Sequence, residues 1–247
     1  MTAVTFAPAR FRTVASTGST NADLLAEIAG GSPVVEGHWL LADRQTAGRG
    51  RQGRSWHDGF GNFMGSTAIE LRHGDPVAAS LSLVVGLALF ETVAPMLPPR
   101  AAQLKWPNDL MVGEAKLAGI LLERTGNWVV AGVGVNLVIA PELQDRRTTA
   151  LSAYVPQPVR DLFAANLAAS LSQELDRWRS HGLEPLIRRW LSAAHSVGTM
   201  LTVQAPGEPL VHGRFLGLHH DGSLALEVGG GERKIIAAGD VILTKEH

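Results

Sequence analysis

The sequence predicts a mixed α/β body with hairpins, followed by a small all-β tail. Three observations carry that reading. Phe163, Leu167, Leu171, Leu175 and Trp178 recur at helical spacing. Strand-like runs at 110–112, 117–123 and Trp128–Val135 are separated by turns at Gly113-Glu114 and Gly126-Asn127. Beyond Gly198 only brief apolar runs remain, punctuated by Asp221-Gly222 and Gly229-Gly230-Gly231.

The elements follow in order. Ser19 or Thr20 caps a helix over Thr20–Ala29, Asp23 suits its positive first turn, and Gly30-Gly31 ends it. Residues 34–42 read as a strand. Residues 44–61 show no periodicity, and seven of the first eleven are glycine or arginine, which predicts a loop. Residues 62–71 form the next strand. Asp75 as cap and Pro76 at the first helical position start a helix that runs to Val93, before Pro95, Pro98 and Pro99. Residues 103–106 make a short strand, and a second helix after the amphipathic one covers 183–195. The tail holds strands at 201–205, 210–217, Leu224–Val228, 234–236 and 241–243. The expected division is 1–197 for the main body and 198–247 for a compact β barrel or sandwich.

Composition excludes several classes of function. The 247 residues carry a net charge of −1, so there is no global attraction to nucleic acid or anionic lipid. The absence of cysteine removes disulfides, thiolate-held metals and thiol nucleophiles, and fits the cytoplasm. The first ten residues lack a basic segment followed by an apolar one, so no signal peptide is expected. The apolar stretch 76–90 is short for a membrane span and reads as a buried helix. The nine histidines have no metal-ligand spacing, and no Gly-x-Ser-x-Gly elbow supports a serine hydrolase.

Against that neutral background, the segment Gln45-Thr46-Ala47-Gly48-Arg49-Gly50-Arg51-Gln52-Gly53-Arg54 stands out. With Arg44 it places four guanidinium groups within eleven residues. Arginine forks match carboxylate and phosphate oxygens, and glycines let the backbone approach a ligand. Gly48-x-Gly50-x-x-Gly53 fits the dinucleotide fingerprint by letter, but Trp56-His57-Asp58-Gly59-Phe60-Gly61 cannot open the helix that fingerprint requires. No Walker loop is present. A solvated basic turn and a nucleic-acid contact are the other readings of this segment alone.

The second cluster is Lys105-Trp106-Pro107-Asn108-Asp109 with Lys116-Leu117-Ala118-Gly119-Ile120-Leu121. Alone, Lys116 reads as an edge charge and Asn108-Asp109 as a turn. Beside the arginine loop they suit carboxylate activation. A carboxylate approaching a polyphosphate about 4 Å away is repelled by roughly 4 kcal/mol at an effective dielectric near 20. Cations must cancel this repulsion and stabilise charge developing at phosphorus. Lys116 and Arg51 are the candidates for that work. Asp109 is the candidate to hold Mg²⁺ or a cationic group, and Asn108 a donor to phosphate or ribose oxygens. Ser19-Thr20-Asn21 reads as a helix cap or as the lining of a pocket for a neutral head group. Gly132-x-Gly134-x-Asn136-Leu137 closes an apolar strand, either by close packing or beside a ligand.

Taken together, Gly18-Ser19-Thr20-Asn21, the loop from Gln45 through Ser55-Trp56, the two lysine motifs and Gly132-Val133-Gly134-Val135-Asn136-Leu137 resemble, in order, the motifs of the biotin protein ligases. The resemblance covers about residues 11–245 and is weakest in the tail. It implies an α+β fold of the class II synthetase-like, biotin–lipoate ligase type. In that fold a mixed sheet with helices on one side is joined to a small SH3-like β barrel. It implies ATP and biotin as substrates, with Mg²⁺, giving biotinyl-5′-AMP and then a biotinylated lysine on a biotin carboxyl carrier protein. By position, Ser19, Thr20, Asn21 and Gln45 would hold the biotin ureido end. Arg49, Gly50 and Arg51 would close over the adenylate, and Lys116 would meet the biotin carboxylate and the phosphate. Arg54, Trp56, Asn108, Asp109, Gly134 and Asn136 would face the nucleotide or its metal. The chain departs from the family at Ala42-Asp43, where Ala-Glu is commoner, and at 61–65. Some members carry an N-terminal DNA-binding domain. With 18 residues before Ser19, neither that domain nor a DNA partner is expected, and a homodimer through a sheet edge is. The competing readings are a lipoate or octanoate ligase or transferase, and a non-enzymatic regulator or pseudoenzyme. A transferase lacks its cysteine here, and the lipoate ligases' Arg-Arg and triple-glycine loop is missing.

Overall fold

The computed structural model describes residues 9–243. The first eight residues, part of the segment read above for a signal peptide, and the last four lie outside the described residues.

A seven-stranded mixed sheet forms the body, with order β1-β2-β3-β7-β6-β5-β4. Its strands are β1 (Phe11–Val14), β2 (Trp39–Ala42), β3 (Phe63–Glu70), β4 (Ala102–Lys105), β5 (Asp109–Val112), β6 (Ala115–Thr125) and β7 (Trp128–Val135). Only β1 and β2 pair in parallel; every other neighbour is antiparallel. The turn at Gly126-Asn127 sets β6 against β7 in unbroken register from Ala118–Val135 to Thr125–Trp128. Strand β2 is shorter than the predicted 34–42. A turn closes from His38 N–H to Val35 O, and Gly37 adopts φ +82°, so pairing begins only at Trp39.

Among the described residues four α-helices accompany the sheet: α1 (Thr20–Ala29), α2 (Leu81–Val93), α3 (Arg160–His181) and α4 (Leu183–Ala193). Ser19 caps α1 by accepting from Ala22 N–H, and the Gly30 N–H returns to Ala26 O. The predicted start of the second helix moves. Asp75 does not cap it; its Oδ2 accepts from Arg72 N–H behind it, and its Oδ1 lies 3.4 Å from Arg179 Nε. A single 3₁₀ turn, Ala78–Ser80, then leads into α2. The segment Ala78–Met96 is long and apolar enough to cross a membrane. Here it is the central helix of the core, with Leu81, Val84, Val85, Ala88, Leu89 and Val93 at or near zero exposure. An all-round apolar surface is what a helix needs when it packs on the sheet and on α3 and α4 together.

The helices do not all lie on one side, which corrects the expected layering. Alternation along the strands decides this. Leu41, Val129, Ala131 and Val133 join the large cluster with α2, α3 and α4. Leu40 and Val130, one residue out of phase, pack instead with Leu24 of α1. Helix α1 therefore covers the opposite face, and the rest of that face is left open beside it.

The tail forms a separate antiparallel sheet of β8 (Met200–Gln204), β9 (Val211–Leu218), β10 (Leu224–Val228), β11 (Glu232–Ile236) and β12 (Asp240–Leu243), in order β11-β10-β9-β8-β12. Strands β11 and β12 stay at opposite edges, so the expected barrel does not close. This sheet is joined to the body. Leu201, Val203, Phe215, Leu224 and Val241 belong to the same apolar cluster as α2, and Trp106 Nε1–H donates to Gly222 O at 3.1 Å.

Candidate active site

The open part of the α1 face is one cleft of about 1160 Å³. The residues given a binding or catalytic role in the sequence line it, from Ser19, Thr20, Asn21 and Gln45 at one end to Arg51, Arg54, Asn108, Asp109 and Lys116 at the other. Arg49, Gly50, Trp56, Gly134 and Asn136 lie along its walls. The volume exceeds the roughly 300–1000 Å³ of an ordinary small-molecule pocket.

The first end is neutral and closely bonded. The turn before α1 and the helix's first residues bury Ser19, Thr20 and Asn21. Gln45 Oε1 accepts from Thr20 N–H at 2.8 Å. Thr20 Oγ1 lies 2.7 Å from Ser66 Oγ, and Ser66 donates to Asn21 Oδ1 at 2.6 Å. Asn21 Nδ2 donates to Glu123 Oε2 at 2.8 Å and to Leu121 O at 3.4 Å. Ser66 on β3 and Glu123 on β6 were not anticipated. The burial of Ser66 is visible only in the fold, so the sequence offers no local sign for the first. For the second, the sequence offers only a charge near a strand end.

Two glycines of β7 give this face its shape. A side chain at Gly132 would collide with Asn21 Oδ1, and one at Gly134 with the Trp56 indole. The Trp56 ring lies over Gly134 and Gly119, with Lys116 Nζ 5.9 Å from its centroid. Trp56 Nε1 and Asn136 Oδ1 are buried without hydrogen-bond partners. Buried polar atoms are rarely left so, and both residues line the cleft.

The second end is charged. Lys116 leads β6, its backbone fixed by Lys116 N–H to Arg147 O and Thr149 N–H to Lys116 O. Lys116 Nζ stands 2.5 Å from Asp109 Oδ1, and Lys105 Nζ 3.4 Å from Asp109 Oδ2. Burial alone would raise the Asp109 carboxyl, but Lys116 and Lys105 outweigh it and hold it below the usual carboxylate range. Burial pushes the Lys116 ammonium down from its ordinary value, opposed by Asp109. Both Asp109 oxygens are thus committed to lysines, and among the described residues no three His, Cys, Asp or Glu side chains gather around a metal position. Asp109 thus holds a cationic group, one of the two roles the sequence left open for it.

The glycine loop is folded back on itself, with Gly50 N–H bonded to Arg54 O and Trp56 N–H to Gly48 O. Its arginines reach the second sheet. Arg51 Nη1 donates to Gly239 O at 3.1 Å and lies 3.5 Å from Asp240 Oδ1. Arg54 Nη2 meets Asp240 Oδ2 at 2.6 Å. Burial lowers the Arg51 value and Asp240 counters it. No local pattern could have joined Asp240 to residues so far away in the chain.

The family pattern of the Biotin/lipoate A/B protein ligases matches residues 16–139. The chain is 40 % identical over 235 residues to the biotin–acetyl-CoA-carboxylase ligase of Mycobacterium tuberculosis, covering 93 % of this chain and 87 % of that one. It is 36 % identical over 244 residues to the enzyme of the same name from Paracoccus denitrificans, covering 92 % and 98 %. The fold matches a biotin protein ligase from Aquifex aeolicus, solved in complex with biotin and ATP, with a TM-score of 0.83 and 26 % identity over 96 % of this chain and 99 % of that one. With these likenesses added to a cleft that residues from every motif line, the chain belongs to the biotin/lipoate A/B protein ligase family.

Proposed function

We infer that this chain is an ATP-dependent biotin–protein ligase. It activates biotin as biotinyl-5′-AMP and passes the acyl group to a lysine of a biotin carboxyl carrier protein. The observation that carries the reading is the polarity of the cleft, neutral and hydrogen-bonding at one end and cationic at the other. A ureido head group suits the first end and a carboxylate meeting triphosphate the second.

In this reading Ser19, Thr20, Asn21 and Gln45 hold the ureido ring, and Arg49, Gly50 and Arg51 cover the acyl chain and phosphate. A carboxylate oxygen of biotin forms a bond to the α-phosphorus of ATP as the bond to pyrophosphate breaks. Lys116 and Arg51 lie where they offset the repulsion between the two anions and the charge that develops. The carrier's amine then attacks the acyl carbon, a C–N bond forms, AMP leaves and the amine loses a proton. Trp56 and Asn136, which line the cleft, would meet the nucleotide, with Arg54, Asn108 and Gly134 beside them. Mg²⁺ accompanies ATP; Asp109 serves here to hold Lys105 and Lys116, and no step is assigned to the metal.

The reading divides the chain into a catalytic unit, 1–197, and a small β unit, 198–247. It takes the acceptor to be the carrier domain of a carboxylase, with DNA not a partner. The exposed edge strand β1 is the surface proposed for a homodimer, and the absence of cysteine fits a cytoplasmic site of action. Pyrophosphate release on mixing ATP with biotin, against lipoate and octanoate, is the deciding assay. Stimulation by biotin is expected, followed by labelling of a carrier-domain lysine. Stimulation by lipoate or octanoate instead would transfer the chain to the other branch of its family.

A further inference from the structure

We propose that Glu123 is a positioning residue that fixes which atoms of the buried pocket donate and which accept, and so sets its preference for a carbonyl flanked by N–H groups. The inference rests on the ligase reading and concerns the specificity of that same site. The two ends of a carboxamide differ little in shape, so only partners decide which way it faces. Glu123 Oε2 lies 2.8 Å from the Asn21 side chain, and a carboxylate has no proton to give. The Asn21 nitrogen must therefore face Glu123, where Leu121 O also accepts from it. Asn21 Oδ1 is then an acceptor, and the single proton of Ser66, at 2.6 Å, is committed to it. Ser66 Oγ must in turn accept from Thr20 Oγ1 at 2.7 Å.

Thr20 has no second proton for Gln45 Oε1, which is 3.1 Å away and is held by the Thr20 backbone N–H at 2.8 Å. The amide nitrogen of Gln45 remains a donor. Asn21, Ser66 and Thr20 thus share one polarity imposed from the Glu123 end, while the Thr20 backbone N–H sets Gln45 in the matching orientation. Without Glu123 only the longer contact to Leu121 O, at 3.4 Å, holds the Asn21 nitrogen, so Asn21 can turn over more readily and the protons of Ser66 and Thr20 can reverse with it. The other oxygen of Glu123 lies 3.7 Å from Arg49 Nη1, which ties this determinant to the glycine loop.

The test uses the full chain as wild type, Glu123→Ala and Glu123→Gln. Pyrophosphate release is followed with biotin and with 2-iminobiotin, in which C=NH replaces the ureido carbonyl. Glu123→Ala is expected to raise the KM for biotin about tenfold, the loss of one buried polar contact. The KM for ATP should stay within about twofold, and the preference for biotin over the imino analogue should narrow. Glu123→Gln still offers a carbonyl to Asn21 and should recover part of both. Wild-type KM and preference in Glu123→Ala would overturn the proposal. So would equal rises in both KM values with a lowered melting temperature, the mark of a merely structural role. A wild type with no biotin-stimulated release would instead sink the ligase reading itself.

Discussion

The two ends of the cleft are organised on opposite principles. At the head-group end, Thr20, Asn21, Gln45 and Ser66 are buried, neutral and bonded to one another, so the pocket exists before any ligand arrives. At the phosphate end, Lys105, Lys116, Arg51 and Arg54 are held by the carboxylates of Asp109 and Asp240. In the proposed reading the first end is completed by its ligand, and the second must exchange internal anions for external ones. Substitutions at the first should therefore act on the acid's KM, and substitutions at the second on the chemical step or on the stability of the resting protein.

The largest expected effect lies at the charged end. Lys116→Ala should slow adenylate formation by about 10²- to 10³-fold, the loss expected for one donor aimed at developing charge. Single-turnover AMP transfer measures this, and near-normal turnover would assign the cation's role to Lys105 or Arg51.

Next is Asp109→Asn, which leaves two buried ammonium groups without their shared carboxylate. Removing one partner of a buried pair should cost about 3 kcal/mol of folding stability at neutral pH. The sign with pH is fixed. The Asp109 carboxyl is held low in the folded chain, so its contribution is present above the ordinary carboxylate range and is lost as pH falls through the folded value. Urea titrations should show the gap between wild type and variant closing in acid; a gap independent of pH would mean that the pair contributes by shape alone.

A smaller effect is expected at the neutral end. Gly132→Ala drives a methyl group into Asn21 Oδ1, and overpacking of this kind costs about 1–3 kcal/mol. The KM for biotin should rise about tenfold while that for ATP is unchanged. A parallel rise in both would erase the distinction between the two ends.

The smallest is Asp240→Asn. Arg54 is substantially exposed, so this pair stabilises the fold by about 0.5 kcal/mol or less. Its signature is local, as faster proteolytic cleavage within residues 44–61. Equal cleavage rates would show that the loop's placement does not depend on the second sheet.

Much of this was readable from residue patterns, and the failures are informative. Helix α1, the β5–β6–β7 hairpins and the strands of the tail followed from caps, turns and alternation, which act within a few residues. The start of α2 did not, because Asp75 is claimed by Arg72 N–H and by Arg179, far along the chain. The site was legible where its residues came in runs, as in Ser19-Thr20-Asn21 and the arginine loop. It was not legible at Ser66, Glu123 or Asp240, which are single residues without a local pattern.

By itself the sequence determined the chemical inventory of this protein: a cation-rich glycine loop, two lysine motifs, a polar helix start, and glycines where a side chain would not fit. Motifs in order were enough to point to the family. Only the tertiary structure decided that α1 and the loop share one face of the sheet while α2, α3 and α4 take the other. It alone decided that Asp109 holds two lysines, of the two roles open to it, and that a carboxylate from the last strand reaches the loop's arginines. The physical reason is the range of the forces involved. Caps, turns and strand alternation are fixed by neighbours in the chain. Ion pairs and buried hydrogen-bond polarity are fixed by groups that only folding brings within about 3 Å.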